Sequence, residues 1–143
     1  MEIRKMLHQD LDQVSALEAE IFSVPWSRQG FVDSLEQVNT LYLVALEGTK
    51  VVAYCGMLQA LDEADITNVA VDQEHRGRGI GQAMLRDLME RGAQRGITSY
   101  TLEVRVGNKP ARNLYRKLGF QEEGIRKNFY EKPTEDAVIM WKR

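Results

Sequence analysis

The sequence predicts an α/β fold in a single domain, residues 1–143, in which helices flank a central mixed β-sheet. Apolar segments of strand length alternate with amphipathic segments of helix length through the middle of the chain. A glycine-rich turn, with Gly77, Gly79 and Gly81, joins an apolar strand to an amphipathic helix. A chain of 143 residues can bury a substantial core as one domain, and it contains no internal repeat or linker.

The first half is predicted to contain a strand, two helices and a hairpin of two strands, at residues 2–6, 11–22, 27–35, 41–46 and 51–61. Asp10 and Ser27 precede the two helices and have the side chains of N-caps. Apolar residues recur every three or four positions from Leu11 to Ile21, which is the period of a helix. Gly48 marks the turn of the hairpin.

The second half is predicted to alternate strands with helices and to end in two strands, at residues 66–71, 80–95, 99–106, 108–119, 120–125 and 137–141. Asp62 and Glu63 form the turn before the first of these strands. Gly96 is typical of the residue that follows a helix, and Asn108 of the residue that caps one. The predicted order of elements is therefore β-α-α-β-β-β-α-β-α-β-β.

The composition is that of an ordinary soluble globular protein, with 43% hydrophobic and 28% charged residues. A net charge of −2 argues against binding nucleic acid through a broad basic face. The first residues lack the apolar core of a signal peptide, and no apolar stretch is long enough to cross a bilayer. We therefore expect a cytoplasmic protein without a membrane or direct nucleic-acid partner, and we take a monomer as the default.

Cys55 is the single cysteine, so no internal disulfide is expected. It lies within a predicted strand, where a small core residue is the simpler interpretation and a catalytic nucleophile the alternative. Because the chain has only two histidines besides this cysteine, no metal site is predicted.

The segment from Arg76 to Gly81 has the composition of an anion-binding turn. A helix N-terminus offers unpaired N–H groups and a positive dipole, and glycines let a phosphate approach the backbone. Arg76 and Arg78 add positive charge that can pair with phosphate. The P-loop pattern is excluded because no Gly-Lys-Ser/Thr occurs, and the dinucleotide fingerprint because its third glycine is missing. A merely tight strand–helix connection is the alternative.

The R-x-x-G-x-G pattern of this turn resembles the signature of the GCN5-related N-acetyltransferase (GNAT) family. The resemblance spans nearly the whole chain and is strongest from Asn68 to Phe120. It implies the acyl-CoA N-acyltransferase fold, in which two neighbouring parallel strands splay apart around the thioester arm of acetyl-CoA. The splayed strands would be Ile66–Val71 and Ser99–Val106.

The same resemblance implies acetyl-CoA as co-substrate and no metal. A backbone N–H of the strand segment Val69–Val71 would stabilise the oxyanion formed during acyl transfer. Asn108 would contact the pantetheine arm in addition to capping its helix. The cofactor-binding residues implied are Val69, Ala70, Val71, Arg76, Gly77, Arg78, Gly79, Ile80, Gly81, Gln82 and Asn108.

Glu103 is the candidate general base, because a carboxylate in a central strand is costly unless it is paired or lines a cavity. Pairing with Arg105, on the same face of the strand, is the structural alternative. At pH 7 an α-amine loses its proton for about 1–1.4 kcal/mol, whereas a lysine amine needs roughly 4–5 kcal/mol. A single glutamate, acting directly or through water, therefore suits an N-terminal amine better than a lysine side chain.

Tyr115 is the candidate general acid. Its helical spacing from Ala111 and Leu118 also fits a core aromatic residue. The segment A-x-x-L-Y-x-x-x-G-F resembles that of the family, whose tyrosine protonates the departing CoA thiolate. A phenol with a pKa near 10 can protonate a thiolate whose conjugate acid has a pKa of about 8.5.

Finer features resemble the bacterial RimI-type ribosomal-protein alanine N-acetyltransferases, namely residues 25–27, 68–71, 102–105, 126–130 and 136–140. This resemblance implies acetyl transfer to the N-terminal alanine amine of a ribosomal small-subunit protein. The family has two tyrosines where this chain has Phe129 and Tyr130, so only the second hydroxyl is present.

Phe22, Trp26 and Tyr130 are expected to bind the peptide substrate, and Asp62 and Glu63 to favour a basic peptide. Core aromatic residues and a solvated turn are the alternative interpretations of these residues. Two other functions remain compatible with the sequence, a small-molecule amine acetyltransferase and a non-catalytic acetyl-CoA-binding module. The presence of both candidate catalytic residues argues against the second.

Overall fold

A computed structural model describes residues 1–143 and has one mixed sheet with helices on both faces. The strands are β1 (Glu2–Lys5), β2 (Thr40–Glu47), β3 (Lys50–Ala60), β4 (Glu63–Val71), β5 (Ser99–Arg105), β6 (Gln121–Tyr130) and β7 (Glu135–Lys142). The helices are α1 (Leu11–Ile21), α2 (Arg28–Leu35), α3 (Ile80–Gln94) and α4 (Lys109–Lys117). Short 3₁₀ turns at His8–Asp10 and Gln73–His75 precede α1 and α3. The predicted fold class and order of elements are confirmed.

The seven strands lie in the order β1-β2-β3-β4-β5-β7-β6. β4 and β5 are the only parallel neighbours, and all other neighbouring strands are antiparallel. Parallel neighbours need a crossover connection, which α3 provides. The glycine-rich turn that begins α3 therefore lies next to the one place where the sheet changes from antiparallel to parallel pairing.

Each face of the sheet carries its own apolar cluster. One cluster joins α3 and α4 to the sheet and includes Met84, Leu85 and Leu88. The other joins α1 and α2 to the sheet and reaches across the strands only as far as Ala70 of β4. On that face, alternate residues of β5 are therefore only partly buried, which leaves room for a binding site.

Thr67 forms a β-bulge in the middle of β4. Gly56 lies opposite Asn68, while the next residue of β3, Met57, lies opposite Ile66, so Thr67 has no partner of its own. The bulge reverses the alternation of side chains along the strand. Ile66 and Val69 both pack on the α3 face, whereas Ala70 belongs to the α1 face.

Two predicted strand boundaries are wrong by three residues or more. β4 begins at Glu63 instead of Ile66, because its first residues pair with both β3 and β5, so Glu63 belongs to the strand and not to the turn. β6 continues to Tyr130 instead of ending at Ile125, because it pairs with β7. Neither segment contains a run of apolar residues that would mark a strand, so their strand character arises from pairing.

The helix caps are confirmed at two of three positions. Ser27 and Asn108 accept hydrogen bonds from the backbone N–H groups of Gly30 and Ala111, at 3.1 and 3.2 Å. Asp10 does not cap α1, because its carboxylate accepts a hydrogen bond from the Leu7 amide and pairs with Arg4 at 2.7 Å. None of the four helices is both long and apolar enough to span a membrane.

Candidate active site

β4 and β5 separate from each other after a short stretch of pairing. Parallel pairing joins Glu63 to Ser99 and ends where Asp65 lies opposite Thr101. Beyond this point β4 stays paired with β3 and β5 stays paired with β7. The sheet thus opens between two intact ladders, as the predicted splay requires.

A cleft of about 740 Å³ occupies this opening. It is lined by predicted site residues from several separate segments of the chain, namely Phe22, Trp26, Val69, Arg76, Glu103, Asn108, Tyr115 and Tyr130. Ala70 and Val71 do not line it, because the first lies beneath α1 and the second packs against the α3 cluster. The side chains of these two residues therefore do not face a ligand in the cleft.

Glu103 lies on β5 with its side chain in the cleft and 29% exposed. Its nearest cation is Arg126 of β6, with 3.6 Å between Nε and Oε1. Arg105 pairs with Glu135 instead, at 3.1 Å, so the predicted alternative of a Glu103–Arg105 pair is wrong. Glu103 therefore retains carboxylate oxygens that can accept a proton from a ligand in the cleft.

Tyr115 combines a buried ring with an accessible hydroxyl. The ring packs against Phe120, with 6.0 Å between the centroids, and the residue is 7% exposed. The hydroxyl makes no hydrogen bond within the chain. Every fully buried polar side-chain atom of the protein does have a hydrogen-bond partner, so this hydroxyl is not fully buried and opens into the cleft that Tyr115 lines. Burial raises the pKa of Tyr115, with smaller contributions from Tyr130 and Cys55. The phenol therefore keeps its proton at neutral pH and can donate it.

Tyr130 closes the cleft from the end of β6. The guanidinium carbon of Arg105 lies 4.5 Å from the centroid of its ring. Phe129, beside it, is 45% exposed and packs edge-on against the same ring. Burial and the nearby charge of Glu103 raise the pKa of Tyr130 to about 12, although Arg105 opposes this shift. Its hydroxyl is therefore also a neutral donor near pH 7.

The turn before α3 presents a run of unpaired amides. The backbone N–H groups of residues 77–82 have no acceptor within the chain, and the first helical hydrogen bond is donated by Ala83 to the Gly79 carbonyl. Gly77 and Gly79 have φ angles of +79° and +78°, which side chains disfavour. The Arg76 side chain braces the turn by donating to the Val71 carbonyl at 3.1 Å. Such a run of amides at a helix N-terminus suits an anion.

Gly81 serves a different purpose from the other two glycines of the turn. It is buried, and a Cβ at this position would lie 3.3 Å from Leu114 Cδ2 and 3.5 Å from Val71 Cγ2. Its missing side chain therefore allows α3 to pack closely against α4 and β4. The prediction that all three glycines make room for phosphate is therefore wrong for Gly81, since only Gly77 and Gly79 lie in open space.

Asp62 and Glu63 do not line the cleft, so an effect of these residues on a basic peptide would have to act through their charge at a distance and stays a prediction. They lie at the paired end of β4, where the Asp62 carbonyl accepts a hydrogen bond from the Thr98 amide at 2.8 Å. The acidic residues that do line the cleft are Glu18, Glu103, Glu131 and Glu135.

The family model described as "Acetyltransferase (GNAT) family" matches residues 11–120. The chain belongs to this family. It is therefore an acyltransferase, and acetyl-CoA is the co-substrate of GNAT enzymes. The resemblance predicted from the glycine-rich turn is confirmed.

Curated relatives of this GNAT protein extend over almost its whole length. A Bacillus subtilis protein provisionally named ribosomal protein bS18-alanine N-acetyltransferase is 40% identical, over 97% of this chain and 93% of the relative. An Escherichia coli protein with that name is 36% identical, over 92% and 89%. The crystal structure of the Escherichia coli ribosomal-protein-S18-alanine N-acetyltransferase matches with a TM-score of 0.91 at 33% identity, covering 99% of this chain and 92% of that chain.

Sequence reasoning missed Glu18, Asn68 and Glu135, which also line the cleft of this GNAT protein. For Glu18 a signal was present, because a carboxylate four residues after Val14 falls on the apolar face of α1. Asn68 lies on β4 directly after the bulge, so strand periodicity alone could not place it. The Glu135 carboxylate is held by a hydrogen bond from Arg105, thirty positions away, and no local sequence pattern indicates that contact.

Proposed function

We propose that this chain transfers the acetyl group of acetyl-CoA to the α-amine of the N-terminal alanine of a ribosomal small-subunit protein. The observation that carries the proposal is that Glu103 of β5 and Tyr115 of α4 line one cleft where β4 and β5 part. The names of the relatives with 36–40% identity support the acceptor class. The single domain of residues 1–143 carries all parts of the proposed site.

The cofactor side of the site fits a CoA thioester. Amides of residues 77–82 would hold the pyrophosphate, with Arg76 and Arg78 adding charge. Beyond Asp65 the edge of β4 that faces β5 is unpaired, so the backbone N–H groups of Val69 and Val71 on that edge would bind the pantetheine arm and stabilise the carbonyl oxygen. Asn108, which caps α4 and lines the cleft, would contact the same arm.

Acetyl-CoA supplies the activated acyl group, and the side chains of this protein manage the protons. Glu103 accepts the proton that the α-ammonium group must lose, directly or through water. Tyr115 donates the proton that the departing thiolate takes up, because its hydroxyl is protonated at neutral pH and lines the cleft, although the burial that raises its pKa makes it a weaker acid than a free phenol. Bond formation at the amine and cleavage of the thioester thus need one base and one acid in the same cleft.

The acceptor side of the cleft is walled by aromatic residues. Phe22 and Trp26 come from the loop between α1 and α2, and Tyr130 from the end of β6. We propose that these three side chains contact the first residues of the peptide, which would enter between the α1–α2 loop and the loop that follows β6. A monomer working in the cytoplasm, where ribosomal proteins are made, is sufficient for this reaction.

Mass spectrometry tests the proposal with a short peptide that begins Ala-Arg-Tyr and contains one lysine. With acetyl-CoA, we expect the mass of one acetyl group to be added at the α-amine. Glu103→Gln and Tyr115→Phe should each slow the reaction about 10²–10⁴-fold. Matched controls are Glu90→Gln, an exposed residue of α3, and Tyr100→Phe, whose hydroxyl donates to the Met89 carbonyl outside the cleft.

Three outcomes would contradict the proposal. Acetylation of the lysine would place the protein among side-chain acetyltransferases. Transfer to polyamines but not to the peptide would favour a small-molecule enzyme, and CoA binding without transfer to any amine would favour a silent binding module.

A further inference from the structure

Glu18 of α1 is a buried carboxylate that the proposed reaction does not use. It is only 3% exposed, yet it lines the acceptor side of the cleft. Burying a carboxylate costs free energy unless hydrogen bonds compensate for the lost water. The two hydrogen bonds that Glu18 accepts therefore indicate what it does.

The two carboxylate oxygens of Glu18 hold two different parts of the fold. Oε2 accepts a hydrogen bond from the backbone amide of Trp26 at 2.9 Å. Oε1 accepts one from the hydroxyl of Tyr54, a fully buried residue of β3. Glu18 thus connects α1 and the central sheet to the loop that carries Trp26.

That loop has almost no other attachment through hydrogen bonds. Residues 23–26 have no regular secondary structure, and the bond from Trp26 to Glu18 is the single hydrogen bond they make within the chain. A loop held by one such tether is free to move when the tether is removed.

Aromatic packing forms a second connection between the two residues that Glu18 joins, Trp26 and Tyr54. The rings of Trp26 and Phe31 lie 5.3 Å apart, and Phe31 meets Tyr54 edge-on at 5.8 Å. Glu18 therefore contacts both ends of a row of three aromatic residues. Trp26 is held through its backbone by Glu18 and through its ring by Phe31, while 36% of the residue stays exposed at the cleft.

We propose that Glu18 is a positioning residue of the acceptor site, which fixes Trp26 and the α1–α2 loop in the geometry that receives the peptide. Glu18 acts through Trp26 and exchanges no proton with the substrate. This inference rests on the proposed function, because it assigns the loop to peptide binding. It predicts that disturbing Glu18 affects the peptide and leaves acetyl-CoA binding intact.

Kinetics provide the first test. Glu18→Ala should raise KM for the Ala-Arg-Tyr peptide about tenfold, because the loop must be ordered at each binding event, and should leave KM for acetyl-CoA within about twofold. Glu18→Gln should recover most of the loss, since its amide can still accept from Trp26 and donate to the Tyr54 oxygen. Glu20→Ala, an exposed residue of the same helix, is the control.

Fluorescence provides a second test that does not depend on activity. In a Trp141→Phe background Trp26 is the single tryptophan. Adding Glu18→Ala should shift its emission to the red and increase quenching by acrylamide, whereas Glu18→Gln should resemble the parent. Tyr54→Phe keeps the ring but removes one hydrogen bond to Glu18, so it should give a smaller change in Trp26 emission and quenching of the same kind. This variant replaces Glu18→Ala in the test if Glu18→Ala does not fold.

These measurements distinguish a failure of the proposed acetyltransferase function from a failure of the positioning role of Glu18. Absence of peptide acetylation by the parent protein would overturn the proposed function, while the fluorescence would still report on the tether. Unchanged peptide KM and unchanged Trp26 quenching in Glu18→Ala and Tyr54→Phe would overturn the positioning role. A fall in kcat of equal size in Glu18→Gln and Glu18→Ala would also overturn it, because that result would indicate proton transfer by Glu18.

Discussion

The guanidinium group of Arg105 lies over the ring of Tyr130, with 4.5 Å between its central carbon and the ring centroid. The same group donates to the carbonyls of Glu131 and Pro133, both at 2.9 Å, and pairs with Glu135. One side chain of β5 therefore holds the loop between β6 and β7 against the cleft. The proposed acceptor site is thus bounded by two loops, one held by Glu18 and the other by Arg105.

Replacing Arg105 by lysine should weaken peptide binding. Lysine retains the charge but cannot stack on Tyr130 while also reaching two carbonyls and a carboxylate. A loss of about 1–2 kcal/mol corresponds to a rise of roughly tenfold in the peptide KM. Steady-state kinetics should show little change in KM for acetyl-CoA. Lys127→Ala, an exposed residue of β6, serves as the control, and equal changes in both KM values would contradict this assignment.

Gly79→Ala should weaken acetyl-CoA binding, and Gly96→Ala should not. Both glycines have strongly positive φ angles, +78° and +83°, and open space where a Cβ would lie. Each alanine should therefore lower the free energy of unfolding by about 1–2 kcal/mol. Only Gly79 lies among the unpaired amides of the proposed pyrophosphate site. Urea unfolding measures the loss of stability that both variants share, and calorimetric titration with CoA measures the difference between their CoA affinities. Equal CoA affinities in the two variants would refute the pyrophosphate site.

Much of this site could be predicted because its determinants are local in sequence. The caps at Ser27 and Asn108 bind amides three positions ahead, and the glycine-rich turn is contiguous. The bulge at Thr67 could not be predicted, because it arises from the register between β3 and β4. The same holds for the pair of Arg105 with Glu135, since contacts between distant segments leave no periodic pattern along the chain.

Stability should fall as the pH rises above about 10, the ordinary pKa of tyrosine. Burial raises the pKa of Tyr54 and Tyr115 well above this value and that of Tyr130 to about 12. The unfolded chain then releases protons that the folded protein retains, so this part of the stability is complete below pH 10 and is lost as pH increases. Urea unfolding between pH 8 and 11 should show the decline, and Tyr115→Phe should reduce its slope. The same slope in both proteins would contradict this account of Tyr115.

Asp10→Asn should destabilise the protein near neutral pH but not in strong acid. Burial alone would raise the pKa of Asp10, but hydrogen bonds from Arg4 and from the Leu7 amide outweigh it and hold the pKa below its usual range. A lowered pKa contributes stability above about pH 4, and this contribution is lost as the pH falls through the folded-state value. The variant should therefore lose about 1–3 kcal/mol at pH 7, and its difference from the parent should shrink towards pH 2. Asp12→Asn is the matched control, because its ion pair with Arg28 is exposed and should contribute less than about 1 kcal/mol. A constant difference between Asp10→Asn and the parent from pH 7 to pH 2, measured by urea unfolding, would show that the Asp10 charge does not stabilise the fold.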